Sequence, residues 1–367
     1  MRTLWDKLLT LFLAATAFFA LACAYRFIAG SDVDVYADAM YQKGGEYFRT
    51  LGNASGSKQG LRWLRMAAQR GHGEAMYDLG VRYEQGGGVS KDYTQAWNWY
   101  HAAAEKGVVK AITRIGGLYS DGKIVSQDYT QAFKWFMSAA EKGDLAAINS
   151  IAICYQMGQG VSRDLAEALN WYRKSAEKGN SDAMFNLGLC YKNGIGTPAD
   201  MDRALEWYHR AADRGYAAAM NELGRHYIGA GADPAQALKW FRRAAAGGNS
   251  NAMGNLGVMY AKSDLEIISQ DYQEALKWLR RASELGSSNA ILNLGASYYN
   301  GWGVSQDYSE ARKFFLKAAE KGETDAMMYI GHLYKNGQGV SQDLEEAAKW
   351  YRQAVAAGNE EAKEYLE

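Results

Sequence analysis

Proline is almost absent. With two prolines in 367 residues and no low-complexity tract, the chain offers no long disordered linker. Cysteine is scarce as well. Cys23, Cys154 and Cys190 form no Cys-x-x-Cys, and no two of the five histidines lie close enough in sequence to make a zinc-ligand pair. No metal site and no cofactor are expected. An excess of one charge is also missing: Lys+Arg and Asp+Glu are 41 each. Nucleic-acid binding needs clustered positive charge, so no nucleic-acid partner is expected. The triple glycine at 86–88 has no Lys-Ser/Thr after it, which excludes a phosphate loop. No nucleophile or carboxylate pair stands apart from helix-cap positions, so no catalytic residues are expected.

What is present is a repeat. A short apolar pattern opens with Ala75, Ala111, Ala147, Ala183, Ala219, Ala252, Ala290 and Ala326, at spacings of 36, 36, 36, 36, 33, 38 and 36. A period in this range signals stacked supersecondary units. Each unit predicts two helices. In the copy at 183–215, Ala183, Met184, Leu187, Gly188 and Tyr191 form one helical stripe, and Ala204, Trp207, Tyr208, Ala211 and Ala212 form a second. Gly188 leaves room on the first helix, and an aromatic such as Trp207 is expected to fill it.

Turn chemistry separates the two helices. Gly194 and Gly196 supply left-handed backbone past the first helix. An Asp then caps the second, followed in most copies by Glu or Gln three residues on, as in Asp92/Gln95 and Asp307/Glu310. That is capping-box spacing, and only Asp200 with Arg203 departs from it. The second helices are expected to end at Gly107, Gly143, Gly179, Gly215, Gly248, Gly286, Gly322 and Gly358.

The pattern A-x-x-x-L-G-x-x-Y-x-x-G-x-G-V-x-x-D-x-x-x-A-x-x-W-Y-x-x-A-A-x-x-G resembles the Sel-1-like repeat, a relative of the tetratricopeptide repeat. The resemblance covers about residues 73–367. It implies an all-α, right-handed α/α solenoid that serves as an adaptor or scaffold, often in bacterial envelopes, and it implies no shared catalytic residues. Some exported members join the two helices of a repeat with paired cysteines. This chain has at most one per copy, so nothing of those members' ligands is carried over.

Residues 1–30 differ in kind. From Leu8 to Tyr25 there is no charge, with Arg2 and Lys7 before the run and Arg26 after it. Its length lies between a signal-peptide core and a membrane span. A retained anchor, a cleaved signal ending at Ala20-Leu21-Ala22, and a lipoprotein signal using Cys23 all remain open. Each places the repeats in the periplasm or anchored facing it, with membrane contact through this segment.

Residues 33–71 read as a divergent first repeat. Ala39, Met40, Gly44, Tyr47, Trp63, Ala67, Ala68 and Gly71 all fall 36 residues before their counterparts, but Leu51–Gly60 has lost the loop and the capping Asp. Eight regular repeats then occupy 72–358, and 359–367 is a charged C-terminal capping helix built on Ala362 and Leu366. Two copies are irregular: Tyr227 to Asp233 is short, and Tyr260 to Asp271 is long and carries Leu265, Ile267 and Ile268.

Cys154 and Cys190 occupy one position of neighbouring first helices. Stacked helices lie about 8–10 Å apart and a disulfide needs Cα atoms within about 7 Å, so buried free thiols are expected. In the family the first helices line a concave surface. Their positions outside the apolar stripe form two rows. One runs Asp78, Arg114, Ser150, Asn186, Glu222, Asn255, Asn293, Tyr329, and the other Arg82, Leu118, Cys154, Cys190, His226, Met259, Ser297, Leu333. They vary between copies while the stripe does not, as a binding groove on a uniform scaffold would. Asp78, Arg82, Arg114, Asn186, Glu222, His226, Asn255, Asn293 and Tyr329 are the candidate partner-binding residues. Trp97, Tyr299 and Trp302 are aromatic extras of the kind found at contacts.

The expected function is a non-enzymatic, protein-binding scaffold of the cell envelope, its partner a secreted effector or an envelope complex. Three alternatives stand beside it: an immunity protein that inhibits a toxic secreted enzyme, a surface protein that binds a host protein, and a cell-wall or β-lactam hydrolase.

Overall fold

In a computed structural model, described at residues 35–50, 54–229, 233–262 and 269–366, every regular element is helical. The apolar run 8–25 with Cys23, and Leu265, Ile267 and Ile268, lie outside the described residues. The chain divides into two compact units, 1–180 and 181–367, and in the sequence the division falls at a repeat boundary.

The first unit holds α1 (Val35–Thr50), α2 (Ala54–Gln69), α3 (Gly73–Gln85), α4 (Tyr93–Glu105), α5 (Val109–Asp121), α6 (Tyr129–Glu141), α7 (Leu145–Met157) and α8 (Leu165–Glu177). The second holds α9 (Ser181–Asn193), α10 (Met201–Asp213), α11 (Ala217–Ile228), α12 (Pro234–Ala246), α13 (Ser250–Ala261), α14 (Tyr272–Glu284), α15 (Ser288–Asn300), α16 (Tyr308–Ala319), α17 (Thr324–Asn336) and α18 (Leu344–Ala356), closed by a short 3₁₀ helix, η1 (Glu360–Tyr365). Within each unit, odd-numbered helices are the first of a pair and even-numbered ones the second. Each packs mainly on its neighbours in sequence. In the divergent first repeat, α2 begins at Ala54, so residues 54–60 of the stretch that lost its loop are wound into helix.

The alanine stripe explains the close packing. Ala183, Ala204 and Ala211 are fully buried, with Leu187 and Tyr208 beside them. An aromatic does fill the Gly188 gap, but it is the neighbour of Trp207. A Cβ at Gly188 would lie 2.5 Å from the Tyr208 ring, so Tyr208 and not Trp207 fills the space. Successive helical residues point about 100° apart, and only one of the two can face the glycine. The same approach recurs at Gly80 on Tyr100, Gly116 on Phe136 and Gly295 on Phe315.

Every capping Asp accepts a backbone N–H from the first turn of its helix, Asp200 included (3.0 Å from Arg203 N). The reciprocal half of the box is not made. The N–H of each Asp donates instead to the carbonyl of the motif tyrosine, as from Asp92 to Tyr83 and from Asp307 to Tyr298, both at 2.9 Å. A backbone donor already used cannot take a Glu side chain. Glu274 and Glu310 turn outward to Lys277 and Lys313. This tyrosine–aspartate link absorbs the irregular loops: it is 2.8 Å both from Asp233 to Tyr227 across the short loop and from Asp271 to Tyr260 across the long one. The second helices close at positive-φ glycines such as Gly107 and Gly143, as the sequence predicts.

Cys154 and Cys190 are free and buried, and burial pushes each thiol up to about 11. The C-terminal helix is a short 3₁₀ helix that seats Ala362 in the core and lays Tyr365 over Tyr351, ring centroids 5.2 Å apart.

Candidate functional site

The second row is not a surface. Leu118, Cys154, Cys190, Met259, Ser297 and Leu333 are all buried, which leaves Arg82 and His226 as its only half-exposed members. The reason is radial. These positions face the second helix of the preceding repeat: Leu118 packs with Ala96 and Tyr100, Cys154 with Ala132 and Phe136, and Leu333 with Ala311 and Phe315.

The first row is half-buried throughout, and much of it is tied to the scaffold. The residue after a motif tyrosine meets the row residue 30 positions later, on the next first helix. Glu84 accepts from Arg114 (Nε to Oε2 3.0 Å), and Glu222 accepts from Lys192 (2.6 Å), the same two positions with the charges exchanged. Further along, Tyr299 meets Tyr329 with ring centroids 5.5 Å apart, and Lys335 lies over Tyr365. Burial works against the charge on Arg114, but the Glu84 carboxylate beside it holds its pKa above the ordinary value. Burial would raise Glu84, yet hydrogen bonds from Arg114 and Tyr100 bring it below the usual carboxylate range.

The other candidates are placed as follows. Asp78 accepts from the Tyr41 hydroxyl at 3.1 Å, and burial pushes its carboxyl up. Arg82 sits 3.4 Å from the centre of the Phe48 ring and donates to the Gly87 carbonyl. Asn186 lies half-buried on α9. Asn255 donates to Asn221 at 3.0 Å, and Asn293 to the Asn289 carbonyl one turn back. Tyr329 stacks on Phe315 (4.7 Å, 4°). Of the aromatic extras, Trp97 packs on His101 and Tyr119, the Tyr299 hydroxyl donates to Gln338, and Trp302 is exposed, stacked on Tyr272.

Two hollows adjoin one another in the second unit. The larger, about 430 Å³, is lined by Arg225, Ile228, Pro234, Phe241, Asn255 and Lys262 among others. The smaller, about 210 Å³, is lined by Lys192, Met201, Leu205, Tyr208, Glu222, Arg225 and His226. Arg225 lines both, and its side chain is 61% exposed. These hollows bring together Glu222, His226 and Asn255 from the sequence-derived set. They add Lys192, Arg225 and Ile228, which that reading missed. The 30-residue spacing was the available signal for Lys192. Ile228 is exposed at the end of α11, which no single position in the sequence reports. The first unit has a separate hollow of about 280 Å³ beside Tyr41, Phe48, Arg49 and Asp78. Among the described residues, no group of three or more His, Cys, Asp or Glu side chains could hold a metal ion, and no helix is long and apolar enough to cross a membrane.

Stacked helix pairs, polar ties between successive first helices and open hollows define a helical repeat scaffold. The Sel1 repeat pattern matches residues 37–72, 73–108, 109–144, 145–180, 181–216, 217–249, 250–287, 288–323 and 324–359. The chain belongs to the Sel1 repeat family. Among solved structures it is similar to c5321, a protective antigen of uropathogenic Escherichia coli with an SLR fold, at 32% identity and a TM-score of 0.60, over 90% of this chain and 71% of that one. It is also similar to a Sel1 repeat protein from Oxalobacter formigenes, at 31% identity and a TM-score of 0.61, over 67% of this chain and 99% of that one. The immunity protein PA5088 of Pseudomonas aeruginosa matches at 17% identity and a TM-score of 0.36, over 69% of this chain and 82% of that one, a level that carries no functional weight. No curated protein matches the chain. Sel1 repeat proteins are generally non-enzymatic scaffolds, and the repeats suggest protein–protein interaction.

Proposed function

We propose that this chain is a non-enzymatic adaptor that holds one protein partner against α9–α13. The observation that carries this reading is the pair of adjoining hollows around Arg225. Half-exposed polar groups there (Lys192, His226, Asn255) stand beside exposed apolar side chains, Met201 and Ile228. Large apolar surface rimmed by polar groups marks interaction sites. The uncharged run at 8–25 supports export, with the repeats facing the periplasm.

The test is capture of partners from the envelope fraction by the full chain, repeated with an Arg225→Glu/Ile228→Asp double variant. Both side chains are exposed, so the fold survives the change. The expected result is loss of the partner. Undiminished recovery would move the site elsewhere. The same experiment reads the immunity version: there the captured partner is an enzyme whose activity falls when the chain is added.

A further inference from the structure

The smaller hollow has too many donors. In two other repeats the tyrosine at the equivalent place donates its hydroxyl to the residue after the motif tyrosine, and in a third Tyr351 pairs with His332 at 2.9 Å. Tyr100 donates to Glu84 and Tyr172 to Gln156, each at 2.7 Å. At Tyr208 that residue is Lys192, which cannot accept. Lys192 donates to one Glu222 oxygen at 2.6 Å, and Arg225 donates to the other at 3.2 Å. Tyr208 is 1% exposed, and its hydroxyl is left without a partner. A buried polar group with no partner costs free energy, and such groups persist where something else supplies the bond. Burial, with Glu222 nearby, raises the phenol pKa, so it stays a neutral donor at ordinary pH.

The remaining walls narrow the ligand further. Lys192 and Arg225 each keep unused N–H groups, and among the described residues Glu222 is the only carboxylate lining the hollow. What enters must accept hydrogen bonds and is favoured if anionic. Met201 and Leu205 form an apolar side that a phosphate would leave uncovered and that side-chain methylenes would cover. We infer that this hollow is a subsite for an acidic side chain, Glu or Asp, of the protein partner, its carboxylate bound by Tyr208, Lys192 and Arg225. This rests on the scaffold reading above and names the chemistry it recognises.

The test uses the full chain with ¹³C-methyl-labelled methionine, with Met201 as reporter on the rim. The probes are the blocked peptide Gly-Gly-Glu-Gly-Gly, its Gln counterpart and inorganic phosphate. The Glu peptide should shift the Met201 methyl saturably, with the Gln peptide about tenfold weaker or undetectable. Tyr208→Phe should weaken the Glu peptide by about tenfold without lowering Tm, since no protein bond is lost. Tyr100→Phe, which loses the bond to Glu84, should lower Tm. Absence of a saturable shift, equal binding of the Gln peptide, or undiminished binding by Tyr208→Phe would overturn the subsite. So would phosphate binding as tightly as the Glu peptide. A drop in Tm for Tyr208→Phe would show that the hydroxyl already has a partner, and would also overturn it. Partner capture that persists alongside any of these failures leaves the scaffold standing and removes the subsite alone.

Discussion

The two glycines of one inter-helix loop are expected to respond very differently to the same substitution. Gly158 (φ 71°) and Gly160 (φ 72°) both have left-handed backbone, which costs about 1–2 kcal/mol for a residue with a Cβ. Their surroundings differ. A Cβ at Gly158 would meet the Arg163 Cβ at 3.3 Å, a side chain on an exposed loop that can give way. A Cβ at Gly160 would run into the backbone of the preceding repeat. It would fall well inside contact with the Tyr129 carbonyl oxygen, 2.5 Å from that carbonyl carbon and 2.9 Å from Thr130 N. Those atoms belong to the first turn of α6, which cannot move without shifting the helix pair. Overpacking of this kind adds about 1–3 kcal/mol. Gly158→Ala should therefore cost about 1–2 kcal/mol and Gly160→Ala about 2–5 kcal/mol.

Asparagine separates the two causes. It tolerates left-handed backbone, so Gly158→Asn should recover much of the loss, while Gly160→Asn should not, because any Cβ collides. Urea unfolding followed by circular dichroism measures all four variants. Repeat arrays can lose two-state behaviour, so hydrogen exchange at α6 and α7 accompanies it. Equal costs for Gly158→Ala and Gly160→Ala, or full rescue of both sites by Asn, would refute the claim that the second glycine is a seam between repeats.

Other outcomes follow from the same geometry. Gly254 lies inside α13, and its nearest neighbours to an added Cβ are at 3.7 and 3.8 Å, so Gly254→Ala should stabilise by about 0.5–1 kcal/mol in thermal unfolding. Asp271→Ala should cost about 1 kcal/mol through loss of the N-cap, and Glu274→Ala should cost less, because the capping box is open and only an exposed pair with Lys277 is lost. Cys154 and Cys190 should resist thiol reagents until the chain is unfolded. Their thiols are raised in the folded state, so their contribution to stability is complete below the unfolded pKa and declines as pH rises from about 9 towards 11. A Cys154→Ala/Cys190→Ala variant should lose that part of the alkaline slope, measured as the difference from the parent chain.

Local chemistry in the sequence determined the helix pairs, their caps, the glycine stops and the buried thiols. Each depends on residues within one turn or one repeat, and the 36-residue period displays them many times. The divergent first repeat was legible for the same reason, through Trp63, Ala67 and Gly71 in register. Contacts across repeats were decided only in three dimensions. Whether Trp207 or Tyr208 faces Gly188 depends on the rotation of one helix against another. Whether Asp92 closes a capping box depends on whether the Tyr83 carbonyl reaches its N–H first. Row residues that look alike in sequence part company there as well. Arg114 and Glu222 are joined to the preceding first helix by partners 30 positions back, Leu118 and Met259 are buried, and Arg225 stands open between two hollows. Such outcomes turn on distances of a few ångströms between segments far apart along the chain, which no pattern of neighbouring residues encodes.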